Sequence, residues 1–512
     1  MAQRFQNPTP SLRWTIQLLI LAIFLVLFIT TTYRGGDQIN YPINVFFSID
    51  PLAALSTLAA SREINAFFWP SLLLAALTLL IGRFFCGWVC PLGTILDLAR
   101  PCIPAHPTRR VPSKNLKYYL LAIILTVSLF SVNPAGIFDP LSIVVRSLTV
   151  VGYPLFSITV HGVLGPLVRW DVPIASGSAD ALLSAMKTTV LPFHQGYFFL
   201  AGLSLAIFLG IIALEAVRPR FWCRYLCPLG ALLSLIAGVS FLKRKPAALC
   251  ARCDKCRQAC DTDAFSTDGV FQKGECILTL DCVRQCPKKK VVYSIGRKPK
   301  RTGPVMSRRW LVGSLFSGLL MGPLLSIAPV RKLKDTLGID ALIRPPGARD
   351  EAAFLSRCIR CSECMMVCPT GGLQPDLTTG GIEGIYCPIL VPRVGYCTYR
   401  CTLCGQVCPT QAIKTLTIPE KLVTVIGKAY INMDRCLPYA YGVNCAVCQE
   451  HCPTADKAIA FKEVPGEVTT DGDQLKKPVV IYDLCIGCGI CEFKCPVGGT
   501  SAIVVTSMKT QL

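Results

Sequence analysis

Cysteines dominate the chemistry available to this chain, which has 29 of them among its 512 residues. Four blocks follow the spacing C-x2-C-x2-C-x3-C, or lengthen its front end, and each ends in Cys-Pro. In such a run three thiolates on a tight loop bind three irons of one cluster, and the fourth reaches a partner cluster. The pattern therefore predicts iron–sulfur clusters and electron transfer. The four blocks are Cys358/Cys361/Cys364/Cys368, Cys397/Cys401/Cys404/Cys408, Cys436/Cys445/Cys448/Cys452 and Cys485/Cys488/Cys491/Cys495.

Two further blocks lie earlier in the chain, and the second of them is one cysteine short. By the same exchange rule, one of their clusters would be bound by Cys250, Cys253, Cys256 and Cys286. The other cluster would have Cys260, Cys276 and Cys282, with Thr279 where the fourth cysteine should stand. We therefore expect about five complete [4Fe–4S] clusters. The sixth site is a [3Fe–4S] cluster, a four-iron cluster with a non-cysteine ligand, or empty.

Other uses of so many cysteines do not fit the composition. Zinc sites use isolated C-x2-C pairs, often with histidine, and this chain has four histidines. Disulfide scaffolds are short secreted chains, whereas 52% of these residues are hydrophobic in a long one. The C-x-x-C-H motif that attaches c-type haem does not occur. The net charge of +21 comes from basic residues that crowd next to apolar segments. Aromatic residues are not interleaved with them, which argues against a nucleic-acid partner.

Apolar runs predict a membrane domain. The mean hydropathy of +0.49 is too high for an ordinary soluble protein. Four runs are long or nearly long enough to span a bilayer, and a fifth is broken by Gly322-Pro323. The runs are Trp14–Thr31, Phe68–Ile81, Tyr118–Val132, Tyr197–Val217 and Leu311–Val330.

The distribution of basic residues predicts the sides of the membrane. Lysines and arginines crowd Arg83–Lys117 and Arg218–Arg309, and two arginines precede the first run. If the chain crosses at each run, all these zones share one side, which the positive-inside rule identifies as the cytoplasm. The stretches Tyr33–Phe67 and Asn133–Gly196 are then external loops. The blocks at 250–286 face the cytoplasm, and the four complete blocks face outward.

A short basic motif precedes the fifth apolar run. Ser307-Arg308-Arg309-Trp310-Leu311 is similar to a twin-arginine export signal, a route for folded proteins, and an ordinary basic flank is the alternative. Either interpretation places the C-terminal domain outside. The sequence thus predicts a multi-pass protein of the bacterial inner membrane with a periplasmic C-terminal domain.

The membrane half contains an internal duplication. Arg83–Gly93 aligns with Arg220–Gly230, each copy contains C-x3-C-P-L-G, and an Asp-Pro-Leu precedes each copy, at Asp50 and at Asp139. Both copies run in the same direction, so an axis along the membrane normal should bring their cysteines together at the cytoplasmic rim. The thiols form a shared metal or cluster site, or they are structural and Pro-Leu-Gly ends a helix. They are Cys86, Cys90, Cys223 and Cys227.

These motifs carry a family resemblance. Residues 1–300 resemble the NapH-type membrane subunit of quinol dehydrogenases, with four spans, two C-x3-C-P motifs and a cytoplasmic ferredoxin module. Residues 301–512 resemble its NapG-type partner, most closely in the stretched Cys436–Cys445 segment and in Cys485–Cys491. The chain looks like a fusion of two normally separate subunits of the periplasmic nitrate reductase electron-transfer family. Thr279 departs from that family's second ferredoxin motif.

The resemblance implies a fold and a division into domains. We expect an α-helical membrane domain of about five transmembrane helices with internal duplication, plus α+β modules like bacterial ferredoxins. The domains are 1–245, the membrane domain; 246–300, a cytoplasmic ferredoxin-like domain; 301–330, a twin-arginine-like segment and anchor; and 331–512, a periplasmic four-cluster domain.

The resemblance also implies a function, oxidation of menaquinol or ubiquinol from the quinol pool to supply a periplasmic reductase or cytochrome. A quinol site needs residues that take protons, and Asp50 and Asp139 are candidates, although both are equally well placed as helix N-caps before proline. The alternative function is an assembly or maturation factor that reduces a metal centre of a partner enzyme.

The spacing allows two ways of pairing the outer blocks. In the C-terminal domain, pairing of the first block with the fourth and the second with the third resembles related four-cluster subunits, while sequential pairing is equally compatible with the spacing. Cys102 and Cys387 lie outside every block, and we expect both to be buried structural thiols.

Overall fold

The computed structural model describes most of the chain between Pro10 and Ser507. The described residues are 10–103, 112–169, 175–193, 196–245, 255–265, 271–286, 291–296, 306–327, 342–377, 379–469 and 472–507. Cys250 and Cys253 lie outside them.

Helices form most of the chain up to residue 327, because its apolar runs are long and are interrupted mainly by Gly and Pro. They are α1 (Pro10–Thr31), α2 (Val45–Ser48), α3 (Pro51–Ser61), α4 (Trp69–Ile81), α5 (Phe84–Trp88), α6 (Pro91–Ala99), α7 (Leu116–Ser128), α8 (Ala135–Phe138), α9 (Pro140–Ser147), α10 (Tyr153–Arg169), α11 (Ala175–Thr189), α12 (Ala201–Ala213), α13 (Pro228–Gly238), α14 (Lys255–Gln258), α15 (Asp281–Arg284) and α16 (Arg308–Ile327). Turns of 3-10 or π helix lie at Ala66–Phe68, Arg100–Cys102, Leu148–Gly152, Leu214–Ala216, Trp222–Leu226 and Lys273–Glu275.

Short helices and two-stranded sheets make up the chain beyond residue 342. The helices are Glu351–Arg357, Glu363–Met366, Leu403–Gln406, Ile418–Val423, Leu437–Ala440, Val447–Glu450 and Ile490–Lys494, with a 3-10 turn at Ile382–Gly384. The strands of the whole chain are β1 (Leu242–Lys245), β2 (Val292–Ile295), β3 (Leu373–Pro375), β4 (Pro388–Leu390), β5 (Lys428–Ile431), β6 (Ile459–Val468), β7 (Gln474–Val480) and β8 (Ile503–Thr506). They pair antiparallel as β1 with β2, β3 with β4, β5 with β8, and β6 with β7.

Two helices among the described residues are long and apolar enough to cross a membrane, Leu12–Thr31 and Pro140–Arg169. All five predicted apolar runs form helices, namely α1, α4, α7, α12 and α16. Of these, only α1 contains a helix that is long and apolar enough to cross a membrane. The presence of five spanning helices therefore stays a prediction.

The helix Pro140–Arg169 lies within Asn133–Gly196, for which the pattern of basic residues predicts an external loop. Pro154 and Pro166 obscured its apolar pattern. A π-helical turn at Leu148–Gly152 widens the helix directly before Pro154, whose ring needs room near the carbonyl four residues earlier.

The duplicated motifs begin helices. Asp50 and Asp139 are the N-caps of α3 and α9, with side chains that accept from Leu52 N at 2.8 Å and from Ser142 N at 2.7 Å. Cys90 and Cys227 hold the same position before α6 and α13, each followed by proline at the first helical residue. Pro-Leu-Gly therefore starts a helix in each repeat and does not end one.

One end of the helix bundle binds the inner module, which we define as residues 255–296. Trp88 Nε1 donates to the Leu278 carbonyl at 3.0 Å. Gly87 packs so closely on Ile277 that an added Cβ would lie 2.1 Å from its carbonyl oxygen. Glu275 enters the bundle, where it accepts a hydrogen bond from Tyr118 at 2.6 Å and pairs with a lysine and an arginine: Lys117 and Arg83.

The opposite end binds the outer domain, which we define as residues 342–507. Asn44 Nδ2 donates to the Val407 carbonyl at 3.2 Å, and Asn65 Nδ2 donates to the Pro409 carbonyl at 3.2 Å. Asn65 stands just before α4 and Arg83 just after it, so α4 joins one contact region to the other. Its 13 residues rise about 20 Å. The two cysteine-bearing parts are therefore separated by little more than one short helix.

A buried ion-pair network closes the inner end of the bundle. Asp97 on α6 accepts from Arg220 at 2.6 and 3.0 Å, from Arg13 at 2.5 Å and from Gln17 at 3.1 Å. Burial alone would raise the pKa of Asp97, but the Arg220 guanidinium, followed by Arg13, lowers it below its ordinary value. Asp97 thus links the second repeat to the first repeat and to α1.

We predict that Asp97→Asn lowers the free energy of unfolding by about 3 kcal/mol near neutral pH, because it leaves buried arginines without a counter-charge. Since the folded pKa of Asp97 is depressed, its contribution is present above its unfolded pKa of about 4 and is lost as pH falls through the folded value. The difference between variant and wild type should therefore shrink in acid. Denaturant titration in detergent, followed by tryptophan fluorescence, measures it.

Asp263→Asn is the matched control, because Asp263 also pairs with several cations at this end of the bundle, Lys114, Arg224 and Arg257, but is 26% exposed. It should cost about 1 kcal/mol or less. Equal losses from the two variants would contradict the role given to Asp97.

Candidate functional site

Cysteines of the outer domain line cavities that each join three thiols of one block to the last thiol of another. Three such cavities have about 370, 350 and 380 Å³ of empty space. Their cysteines are, in that order, Cys397, Cys401 and Cys404 with Cys368; Cys485, Cys488 and Cys491 with Cys452; and Cys436, Cys445 and Cys448 with Cys495. This is the exchange of the fourth cysteine seen in two-cluster ferredoxins.

The first block follows the same exchange of its fourth cysteine. Cys408, the last cysteine of the second block, lies close enough to Cys361 and Cys364 to interact with them electrostatically. The blocks are therefore paired in sequence, the first with the second and the third with the fourth. The nested pairing that resembles related subunits is not the arrangement of this chain.

The surroundings of these thiols fit iron–sulfur clusters. Backbone N–H groups point at cysteine sulfurs, from Ile413 to Cys408 at 3.5 Å and from Ala502 to Cys495 at 3.4 Å. Such donors stabilise the thiolate that binds iron. In the described part of the chain, no three His, Cys, Asp or Glu side chains meet closely enough to hold a single ion. Sulfur-lined cavities suit a cluster, which is larger than one ion and fills the space between its ligands.

In the inner module the described thiols are Cys256, Cys260, Cys276, Cys282 and Cys286. The first complete set cannot be traced, because Cys250 and Cys253 lie outside the described residues. In the second set, Cys276 interacts electrostatically with both Cys260 and Cys282. The three cysteines predicted to share the incomplete site therefore lie together.

The repeats bring their four thiols together inside the bundle. Cys227 lies within electrostatic range of Cys223, Cys86 and Cys90, and all four are at most 7% exposed. Arg83 Nη2 lies 3.7 Å from Cys86 Sγ, and Gly230 N donates to Cys227 Sγ at 3.2 Å. Positive charge and helix N-termini thus face these sulfurs, as a thiolate site requires.

Asp50 and Asp139 also come together, since their carboxyl groups lie close enough to interact electrostatically. Both are buried, at 0% and 1% exposure. Burial, followed by the neighbouring Asp139 carboxyl group, raises the pKa of Asp50 above its ordinary value. One oxygen of each carboxyl group caps its helix.

A further cavity, partly open to solvent, lies between the bundle and the outer domain. Its walls are aromatic and sulfur-containing, and they include Tyr33, Tyr153, Phe193, Phe198, Met366 and Cys368. Thr149 also lines it, is 2% exposed, and its hydroxyl has no hydrogen-bond partner among the described residues. An unpaired buried hydroxyl beside an apolar space is ready to bind a polar group of a ligand.

Sequence reasoning missed this cavity, because its walls come from three distant parts of the chain. The one usable signal was the apolar pattern of Pro140–Arg169, which contains Thr149 and Tyr153.

The two cysteines outside the blocks differ from each other. Cys387 is buried as predicted and lies close enough to Cys358 to interact with it electrostatically. Cys102 is exposed, so its predicted burial is wrong, because the helical turn that carries it ends at the protein surface.

The pairing of the outer blocks can be tested by counting clusters. Cys368→Ser and Cys401→Ser remove ligands from different blocks but from the same cavity. We predict that each single variant, and the double variant, loses the same one cluster, about four irons per chain. Iron and sulfide quantitation with electron paramagnetic resonance measures the loss.

Cys401→Ser combined with Cys452→Ser is the matched comparison, because these ligands lie in different cavities. That pair should lose two clusters. Loss of two clusters in Cys368→Ser/Cys401→Ser would instead indicate nested pairing.

Two family profiles, both described as "4Fe-4S binding domain", match the chain. One matches residues 66–110 and 200–246, which contain the C-x3-C motifs of the two repeats. The other matches residues 354–374 and 478–499, which contain the first and fourth outer blocks. These matches support iron–sulfur clusters as the cofactors of this protein. No solved structure matches the chain.

Curated relatives match about a third of the chain. It is 36% identical to the "Methylamine utilization ferredoxin-type protein MauM" of Paracoccus denitrificans over 159 residues, 30% of this chain and 67% of that protein. It is 37% identical to MauM of Methylorubrum extorquens over 160 residues, 30% of this chain and 69% of that protein. It is 32% identical to "Ferredoxin-type protein NapG" of Escherichia coli over 158 residues, 30% of this chain and 65% of that protein. With the duplicated 4Fe-4S segment, these matches support a NapG/NapH-like ferredoxin fusion. The chain belongs to the family of ferredoxin-type iron–sulfur proteins that includes MauM and NapG.

Proposed function

We propose that this protein is a membrane-bound quinol dehydrogenase that passes electrons through its clusters to a redox partner on the outer side. Membership of the ferredoxin-type family supports the electron transfer. The cavity between the bundle and the outer domain carries the quinol part of the proposal. Quinol oxidation needs an apolar slot, a polar group that orients a ring hydroxyl, and an electron acceptor close by.

The cavity offers all three features. Tyr33, Tyr153 and Phe193 provide flat apolar walls, and the Thr149 hydroxyl is free to hydrogen-bond a quinol oxygen. Cys368 lines the same cavity and also lines the sulfur-bounded cavity of the second outer block. A quinol bound here would lie next to Cys368, which we propose to be a ligand of one cluster.

Contacts within the outer domain suggest the order of electron transfer. Cys397 N, in the set that shares Cys368, donates to the Cys488 carbonyl at 2.8 Å. That contact joins the first pair of clusters to the second pair. The last set includes Cys436 and Cys445, and the segment between these two cysteines contains Tyr441, which is 65% exposed. Electrons would enter beside Cys368 and leave near Tyr441, toward a periplasmic reductase or cytochrome.

The distribution of charge between the two ends of the bundle supports the proposed location. The basic stretches Arg83–Lys117 and Arg218–Arg309 flank or include the inner module, and the outer domain packs on the opposite end. The positive-inside rule then supports a bacterial inner-membrane protein with a periplasmic C-terminal domain. The twin-arginine-like motif at the start of α16 supports the same orientation.

The four thiols of the repeats offer a link between the two sides. Ile277 of the inner module, these thiols, and Ile359 of the outer domain belong to one continuous buried cluster. We propose that Cys86, Cys90, Cys223 and Cys227 bind a shared cluster between the inner and outer sets. The segments that carry them match a 4Fe-4S family profile, which supports this assignment.

A second candidate function is an assembly or maturation factor, whose clusters would reduce a metal centre of a partner enzyme. Reconstitution with a quinol analogue separates the two. Reduction of the clusters by quinol supports the dehydrogenase. Absence of reduction by quinol, with reduction of a partner's metal centre by the dithionite-reduced protein, supports the maturation factor.

We predict that Thr149→Val slows quinol-dependent cluster reduction about tenfold, since one hydrogen bond contributes about 1.4 kcal/mol at most. Dithionite should still reduce all clusters of the variant, because none of their ligands is altered. The rate is followed by absorbance after mixing the protein with a menaquinol analogue in detergent.

Thr159→Val is the control, because Thr159 is an exposed residue of α10 whose hydroxyl bonds its own helix at Leu155. It should oxidise quinol at the wild-type rate. Equal rates for wild type and Thr149→Val would remove the cavity from the proposal.

A further inference from the structure

A pair of arginines meets where the first outer block packs on the helix bundle. Arg146 belongs to α9 of the bundle, and Arg360 stands between Cys358 and Cys361 of the block. The two arginines are 3% and 2% exposed. Arg146 also interrupts an apolar helix, where a charged side chain is costly to bury and usually serves a function.

Each arginine bonds the backbone across this interface. Arg146 Nη1 donates to the Arg360 carbonyl at 3.4 Å, and its Cζ lies 4.4 Å from the centre of the Tyr386 ring. Arg360 Nη1 donates to the Asn133 carbonyl of the bundle, and its Nη2 donates to the Glu383 carbonyl at 2.7 Å. These bonds hold both side chains in place. They do not balance the two positive charges, because carbonyl groups carry no net charge.

Within the described residues, no carboxylate lies at ion-pair distance from either cation. Arg357, directly before the same block, does have such a partner, since it pairs with Glu63 at 2.6 Å. Asp139 interacts electrostatically with Arg146 but forms no ion pair with it. Buried charges of this kind are tolerated only when they are compensated, so another anionic group must balance Arg146 and Arg360.

The thiols of the first outer block lie near both cations. Arg146 interacts electrostatically with Cys361, and Arg360 does so with Cys358. An iron–sulfur cluster and its thiolates together carry net negative charge, and reduction adds one more negative charge. Because both arginines are buried, salt and solvent screen this attraction only weakly. A cluster held by this block therefore fits as the anionic partner of the two arginines.

We propose that Arg146 and Arg360 are the counter-charges of the first outer cluster and that they raise its reduction potential. We define this cluster by its ligands: Cys358, Cys361, Cys364 and Cys408. The two cations stabilise the reduced form more than the oxidised form, because the reduced form carries more negative charge. Since Arg146 comes from the bundle, the potential depends on how the outer domain packs there. The inference requires a cluster in the first outer block but does not depend on quinol oxidation.

Arg146→Met in the full-length protein tests this inference, because methionine can still pack on Tyr386 but carries no charge. We expect the equilibrium constant for one-electron reduction of the first outer cluster to fall about tenfold, a shift of about 59 mV to lower potential. The other clusters should shift less. Redox titration followed by electron paramagnetic resonance measures the potentials, and Cys364→Ser identifies the signal of the first outer cluster.

Two further variants separate charge from packing. Arg146→Lys keeps the charge and should keep the wild-type potential, although it loses the planar fork of hydrogen bonds. Arg349→Met is the matched control, because it removes an arginine of the same domain whose bond to the Gln411 carbonyl at 2.9 Å is exposed to solvent. Screening should make its effect on the potential small.

An unchanged potential in Arg146→Met would overturn the inference, as would an equal shift in Arg146→Lys or in Arg349→Met. If Arg146→Met does not assemble the first outer cluster, Arg146→Lys decides the outcome. Assembly in Arg146→Lys with the wild-type potential supports the role of the charge. Failure of both variants to assemble the cluster contradicts it, because lysine retains the charge.

Discussion

Two buried arginines, one from each repeat, hold the helix bundle together. Arg83 reaches the first turn of α13, where a Cβ on Gly230 would lie 2.7 Å from its Nη2. Arg220 reaches the first turn of α6, where a Cβ on Gly93 would lie 2.9 Å from its Nη1. Buried charges of this kind are tolerated only when paired. Arg83 pairs with Glu275 of the inner module and Arg220 with Asp97, so repeat pairing, thiol placement and inner-module docking all depend on these two cations.

The contact between the two repeats also sets the distance between the inner and outer cysteine sets. Because α4 alone separates the two contact regions, the inner and outer cysteine sets lie at the two ends of a bundle about 20 Å thick. The four repeat thiols lie inside it, and the cavity with Thr149 lies at its outer end. Under the proposed function, quinol would supply the outer clusters without an electron crossing the bundle. The same thiols offer a connection from those clusters to the inner module.

Local spacing in the sequence predicted the cysteine blocks, the duplication, the helices over the apolar runs and the possible N-caps at Asp50 and Asp139. Each of these depends on residues close together in the chain. Sequential pairing of the outer blocks and the cavity that contains Thr149 depend on contacts between distant segments, which spacing does not encode. The helix Pro140–Arg169 was missed because prolines break its apolar pattern, although a π turn accommodates the first of them.

The entry point of electrons is the central claim, and rapid-freeze electron paramagnetic resonance tests it most directly. The full-length protein in lipid nanodiscs is mixed with a menaquinol analogue and frozen at increasing times. Spectra of Cys368→Ser and of inner-module cysteine variants assign the signals. The account predicts that the cluster sharing Cys368 is reduced first and the inner clusters later. Reduction of the inner clusters before that cluster would contradict quinol oxidation at the outer cavity.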